Sequence, residues 1–162
     1  MVTVRMENRP AFAAVGRSVW ISGQDNEQFG AFWQRAAQEG WLEELQALGG
    51  VGPATGSAVF GVSRVEDDPA NRAFHFFIAA EWDGDCPAGF ERFVVPAARW
   101  AVFANKGPLP QALIDAEMHC FLEWLPASGL VHAAAPELEV YPPDGSVEFW
   151  LPVAAAHVAD RS

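Results

Sequence analysis

The chain has 162 residues, 51 % of them apolar, with seven Trp and twelve Phe, which suits one domain with a sizeable core and excludes a disordered chain. Its formal charge is −11, from 10 basic and 21 acidic residues with Lys106 the only lysine, so there is no basic cluster to displace counterions and no direct nucleic-acid binding is expected. The N-terminus lacks a signal-peptide pattern, no apolar run reaches the ~18 residues of a membrane span, and the only cysteines, Cys86 and Cys120, suit free thiols, so a cytoplasmic protein is expected.

Residues 2–7 alternate as a short strand, and Phe12 to Ile21 reads as a second, with Gly16 as a bulge. Asp25 and Gln28 have the spacing of a capping box. After it, Phe29, Phe32, Trp33, Ala36, Ala37, Trp41 and Leu45 mark one face of a helix that Gly49-Gly50 would end. Ser57–Arg64 and Arg72–Trp82 then read as strands joined by the polar turn 66–71.

The second half repeats that order. Phe93–Phe103 is extended with a break at Pro96, and Pro108 or Pro110 sits in the first turn of a helix. Leu113, Ile114, Glu117, Met118, Phe121 and Leu125 mark its face, and Pro126 is expected to stop it. Glu137–Tyr141 and Val147–Val153 follow as strands around the turn 142–145, and residues 154–162 read as a frayed tail. The fold class is therefore α+β: an antiparallel sheet built from two β-α-β-β halves, residues 1–90 and 91–153, with two long helices. One sheet face packs on the helices, and the other is left to be solvated or to form a site.

Strand parity sorts the candidate residues. Glu148 and Trp150 share a face opposite Phe149 and Leu151; Glu139 and Tyr141 share a face opposite Leu138 and Val140; Trp100 opposes Phe103 on its strand. A carboxylate flanked by aromatics is costly to bury unless paired, and an organic cation over aromatic faces would compensate Glu148. The alternative is a solvated residue on the outer sheet face. Tyr141 is the only tyrosine in a chain that otherwise uses Phe, which suits either a hydroxyl in use or a tyrosine at the core boundary; Glu139, read on an edge strand, is expected to be solvated. Trp20, Trp82 and Phe103 are further candidates for cleft walls, with core packing as the alternative. Trp33, Trp41 and Phe121 have helical core spacing. The histidines 75, 119, 132 and 157 show no metal-ligand spacing, and no nucleophile elbow or phosphate loop is present, so no metal and no cofactor are expected.

Four motifs recur in a fixed order: Trp100-Ala-Val-Phe103, a helix end at Trp124-Leu-Pro-Ala-Ser-Gly129, Glu139-Val-Tyr141, and Glu148-Phe-Trp-Leu-Pro-Val153; the turn Pro87-Ala-Gly-Phe90 precedes them. This pattern resembles the GyrI-like, AraC-type effector-binding domains, whose members show Y-A-V-F, W-L-P-x-S-G, E-x-Y and E-x-W-x-P-V. The resemblance spans roughly Val2 to Val153 and is sharp from Pro87 onward. Trp100 departs from the family by replacing a tyrosine.

The resemblance implies two halves related by a pseudo-twofold axis with a ligand cleft between them, lined by Glu148, Trp150, Tyr141, Glu139, Trp100, Phe103, Trp20 and Trp82. It implies binding of a hydrophobic, aromatic or cationic drug-like molecule, for sensing or sequestration. The chain leaves no room for a helix-turn-helix and reads as a free-standing domain. An alternative is hydrolysis of reactive drug-like molecules, such as cyclopropane-containing genotoxins, in the same cleft, with Glu148 activating a water and Tyr141 donating a hydrogen bond. A further alternative is a gyrase-inhibitor-like module for a protein partner.

Overall fold

In the computed structural model, which describes residues 1–22 and 26–156, the strands and helices alternate as two similar halves. The first half comprises β1 (Thr3–Arg9), β2 (Phe12–Ile21), α1 (Glu27–Gln38), α2 (Trp41–Gly49), β3 (Phe60–Ser63) and β4 (Phe74–Glu81). The second comprises β5 (Glu91–Val95), β6 (Ala98–Asn105), α3 (Gln111–Met118), a π-helical turn (His119–Trp124), α4 (Leu125–Ser128), β7 (Leu130–His132), β8 (Glu137–Val140) and β9 (Val147–Ala155). They form one antiparallel sheet in the order β1-β6-β9-β8-β3-β4-β2-β5, with β7 added beside β9. The halves meet where β3 pairs β8, so Glu139 lies on a central strand and not on an edge.

The two leading strands are exchanged. β1 pairs β6 of the second half, and β5 pairs β2 of the first. This forces the sheet to curl. β5 and β6 are six places apart in the strand order, about 29 Å in a flat sheet. Yet only Pro96 and Ala97 connect them, and three Cα steps reach ~11 Å at most. β1 and β2 impose the same closure through Pro10 and Ala11. The sheet is an open barrel, and its inner face packs on itself: Phe60, Val62, Phe77, Val95, Trp100, Val102, Leu138, Val140 and Trp150 form one buried cluster without a helix. The face expected to be solvated or to form a site is thus core.

The outer face carries the helices. α1 and α2 pack on β2 and β4 through Phe32, Ala36, Trp41, Leu45, Phe76 and Ile78. α3 and its continuation pack on β6 and β9 through Leu113, Ala116, Cys120, Phe103, Phe149 and Leu151. Neither helical segment is a single long helix. Gly40, in the left-handed region at φ 84°, splits the first. In the second, Pro126 does not stop the helix: the π-helical turn precedes it, and the chain stays helical to Ser128 before Gly129 turns it at φ 75°.

Other boundaries differ too. Gly16 makes no bulge, because the β2–β4 register runs unbroken through it; a Cβ there would collide with the Ile78 carbonyl. Residues 154–155 are paired strand rather than tail. α1 begins at Asn26 without a side-chain cap, and Asp25, like His157 and the last residues of the tail, lies outside the described residues. Among the described residues no helix is long and apolar enough to cross a membrane.

Candidate functional site

The pairing of β3 with β8 brings Gly61 opposite Glu139, on the helix-bearing face between the two halves. A Cβ at residue 61 would collide with Cγ of Glu139, so glycine is what lets the glutamate lie across the neighbouring strand. Tyr141, two residues on, donates its hydroxyl to Glu139 Oε1 at 2.8 Å. Trp33, projecting from α1, donates its indole N–H to the same oxygen at 3.3 Å and meets the Tyr141 ring edge-on, with centroids 5.4 Å apart. Oε2 of Glu139 has no protein partner, and no cation pairs with the carboxylate, among the described residues. The side chain sits deep among protein atoms yet keeps contact with solvent.

Burial pushes the Glu139 carboxyl up from 4.5 to about 7, against the lowering effect of the Tyr141 and Trp33 hydrogen bonds. Glu117, facing it from α3, rises to about 8 through burial and the like charges of Glu139 and Glu137. Tyr141 is held well above its ordinary value, by burial and then by Glu139. Two carboxyls on the helix-bearing face therefore take up protons near neutrality instead of remaining fully charged.

One turn of strand away, the charge is internally balanced. Burial would raise Glu137, but His132 and Arg72 outweigh it and hold the carboxyl below its usual value. His132 Nε2 lies 3.0 Å from Oε2, and Arg72 donates to both oxygens at 3.0 and 3.2 Å. The Arg72 guanidinium also lies over Phe74 and Phe121, tying the turn before β4 to the second half. Glu137 is thus satisfied, while Glu139 is not.

The other candidate residues are dispersed. Glu139 opposes Phe149 on β9, so Glu148 points to the opposite face. There Glu148 accepts from Arg5 at 3.0 Å and from the Trp150 indole at 2.9 Å. It is paired with β1 rather than solvated, and it lies across the sheet from Glu139 and Tyr141. Trp100 and Trp150 pack against each other inside the barrel, 0 % and 1 % exposed. The Trp100 indole N–H is buried without a partner. Phe103 is core beneath Trp124 on the outer face. Trp82 packs at the edge of the first helical cluster and bonds the Asp85 carbonyl. Trp20 stands 53 % exposed at one mouth of the barrel, against His75. Of the eight candidates, the structure brings together Glu139 and Tyr141 on the outer face, and Glu148, Trp150 and Trp100 on the inner face.

The barrel mouths hold two open cavities. One, of about 240 Å³, is lined by Arg5, Glu7, Arg9, Glu148, Trp150 and the loop 53–56. The other, of about 550 Å³, is lined by Trp20, Arg64, Glu66, His75 and their neighbours. No group of His, Cys, Asp and Glu suited to a metal ion occurs among the described residues, and both cysteines are free.

Sequence reasoning passed over Trp33, Gly61, Glu117 and Arg72. Glu117 carried a signal, a carboxylate on the apolar face of its helix; Trp33 carried none beyond core spacing, since its indole reaches Glu139 only through the tertiary fold.

Comparison with known proteins agrees with this architecture. The model of the family described as GyrI-like small molecule binding domain matches residues 3–154. The transcriptional regulator BrlR of Pseudomonas aeruginosa is 26 % identical over 161 residues, which cover 92 % of this chain and 54 % of the regulator, so the chain spans about half the length of that relative. The structure of SAV2435 bound to tetraphenylphosphonium superposes with a TM-score of 0.80 at 20 % identity, covering 94 % of each chain. That of a transcription regulation protein from Staphylococcus aureus MU50 superposes with a TM-score of 0.72 at 22 % identity, covering 94 % of this chain and 99 % of the other.

Proposed function

Given that the chain belongs to the GyrI-like small molecule binding domain family, we propose that it binds a hydrophobic organic cation on the outer face of the sheet, over Glu139 and between α1 and α3. The observation that carries this reading is a deep carboxylate with one oxygen unpaired, no cationic partner, and two aromatic rings, Trp33 and Tyr141, beside it. Burial of an unpaired carboxylate is unfavourable, and a delocalised cation relieves it while covering the rings. Tetraphenylphosphonium, the ligand of SAV2435, has this chemistry and supports the choice of probe. Sensing or sequestration follows from such binding. The test is calorimetric titration of tetraphenylphosphonium into the wild-type protein and Glu139→Gln; saturable binding that the substitution weakens supports the site, and equal affinity removes it.

A second reading rests on the same pair. A carboxyl near 7 that accepts from a tyrosine hydroxyl is suited to deprotonating a water at neutral pH. Hydrolysis would therefore use Glu139 and Tyr141 rather than Glu148. Mass spectrometry separates the readings: intact ligand recovered in full supports binding alone, and a water-added product formed over many turnovers supports hydrolysis.

A further inference from the structure

Trp20 is the residue that the central cleft leaves unexplained. It lies on β2 opposite His75 of β4, on the inner-face parity of Phe77 and therefore away from Glu139. More than half of its surface is open to water, although a strand neighbour, Ile21, is 2 % exposed. Its ring meets the His75 ring edge-on at 5.0 Å, and both residues line the cavity at this mouth of the barrel. That cavity, about 550 Å³, falls within the 300–1,000 Å³ usual for small-ligand sites.

The charge of the lining selects the ligand. Glu66, Asp67, Asp68 and Glu91 face a single arginine, Arg64. Arg64 is committed: its Nε donates to Glu66 Oε2 at 2.8 Å, and its guanidinium lies 6.0 Å over the Phe77 ring and 5.5 Å over the Phe93 ring. The aromatic floor of this mouth thus already accommodates one cation. The other oxygen of the same carboxylate, Glu66 Oε1, is buried with no hydrogen-bond partner. Glu66 itself lines the cavity, and an oxygen left without a donor keeps its carboxylate short of positive charge.

We propose that this cavity is a second binding site, for a small aromatic ammonium ion, with the ring stacked on Trp20 and the cationic centre directed at Glu66 and Asp68. It is independent of the Glu139 cleft and lies across the sheet from it. The preference for a cation follows from the lining, and the preference for an aromatic body follows from the open indole face.

The test is NMR titration of benzyltrimethylammonium into the whole chain, observing the tryptophan indole N–H signals. Trp20 is identified by its loss in Trp20→Phe, and Trp33 by its loss in Trp33→Phe. The Trp20 signal reports this cavity and the Trp33 signal the central cleft, so each site fails or succeeds by itself. Saturable movement of the Trp20 signal is expected. Its midpoint should move at least tenfold higher in concentration with Trp20→Ala, followed on the His75 ring signals, and with Asp68→Asn. The uncharged isostere neopentylbenzene should bind at least tenfold more weakly. Trp20→Ala changes an exposed residue, and circular dichroism confirms that it folds. An unmoved Trp20 signal at millimolar probe, unchanged affinity in both variants, or equal binding of the neutral isostere overturns the proposal.

Discussion

Glu139→Gln removes the charge at the floor of the cleft and little else. The amide oxygen still accepts from Tyr141 and Trp33, and the shape still fits over Gly61. A desolvated charge partner contributes on the order of 2–4 kcal/mol to binding a cation, about 30- to 1,000-fold in Kd. That full effect requires an ionised carboxylate, and Glu139 is at half-charge near pH 7. A cation binds the ionised form better, so wild-type affinity should rise with pH through about 7. At pH 5.5 only about 3 % of the carboxyl is ionised, and the wild-type advantage should shrink to about 2- to 30-fold. Glu117 adds a second rise near 8, which Glu117→Gln should remove while leaving the Glu139 midpoint in place, because Glu117 is still protonated where Glu139 titrates. Calorimetry with tetraphenylphosphonium at pH 5.5 and 8.5 reads all of these. If the variant binds within twofold of the wild type at pH 8.5, or if wild-type affinity falls with rising pH, Glu139 is not the cation's partner.

Four further outcomes are expected. Glu139 is raised in the folded state, so its contribution to stability is fully present below 4.5 and is lost as pH rises through about 7; at pH 8.5 urea unfolding should find Glu139→Gln more stable than the wild type by on the order of 2–3 kcal/mol. Gly61→Ala should displace Glu139, weakening tetraphenylphosphonium binding about tenfold and costing about 1–3 kcal/mol in the same unfolding assay. Arg5→Met leaves Glu148 nearly buried with only the Trp150 indole, at a cost of about 1–3 kcal/mol by urea unfolding, whereas Glu148→Gln should leave tetraphenylphosphonium affinity within twofold by calorimetry. Arg72→Met strips the bidentate partner from Glu137 and should cost on the order of 2–4 kcal/mol, measured by thermal or urea unfolding.

The parity of each strand was legible in the sequence, and so was the tandem order of elements. Alternation correctly set Glu139 and Tyr141 against Leu138 and Val140, and Glu148 and Trp150 against Phe149. Parity alone does not say what each face meets. Pro96 reads as a break within one extended segment, but it separates two strands that belong to opposite ends of the sheet. That crossing closes the barrel, turns the Trp150 face into core, and sets Glu148 on the face away from Glu139. The Arg5–Glu148 pair spans 143 positions and leaves no local trace in the sequence. Glu139 was read on an edge because the β3–β8 pairing that joins the halves is likewise long-range. Gly61 shows its purpose only once Glu139 is seen to cross it.

A crystal structure of the protein soaked in tetraphenylphosphonium tests the site most directly. The phosphonium is expected on the outer face of the sheet, between α1 and α3, with a phenyl ring against Trp33 and its charge over the unpaired oxygen of Glu139. A ligand seated only at a barrel mouth, beside Glu148 or Trp20, or a helix-side cleft left unoccupied at saturating concentration, would contradict it.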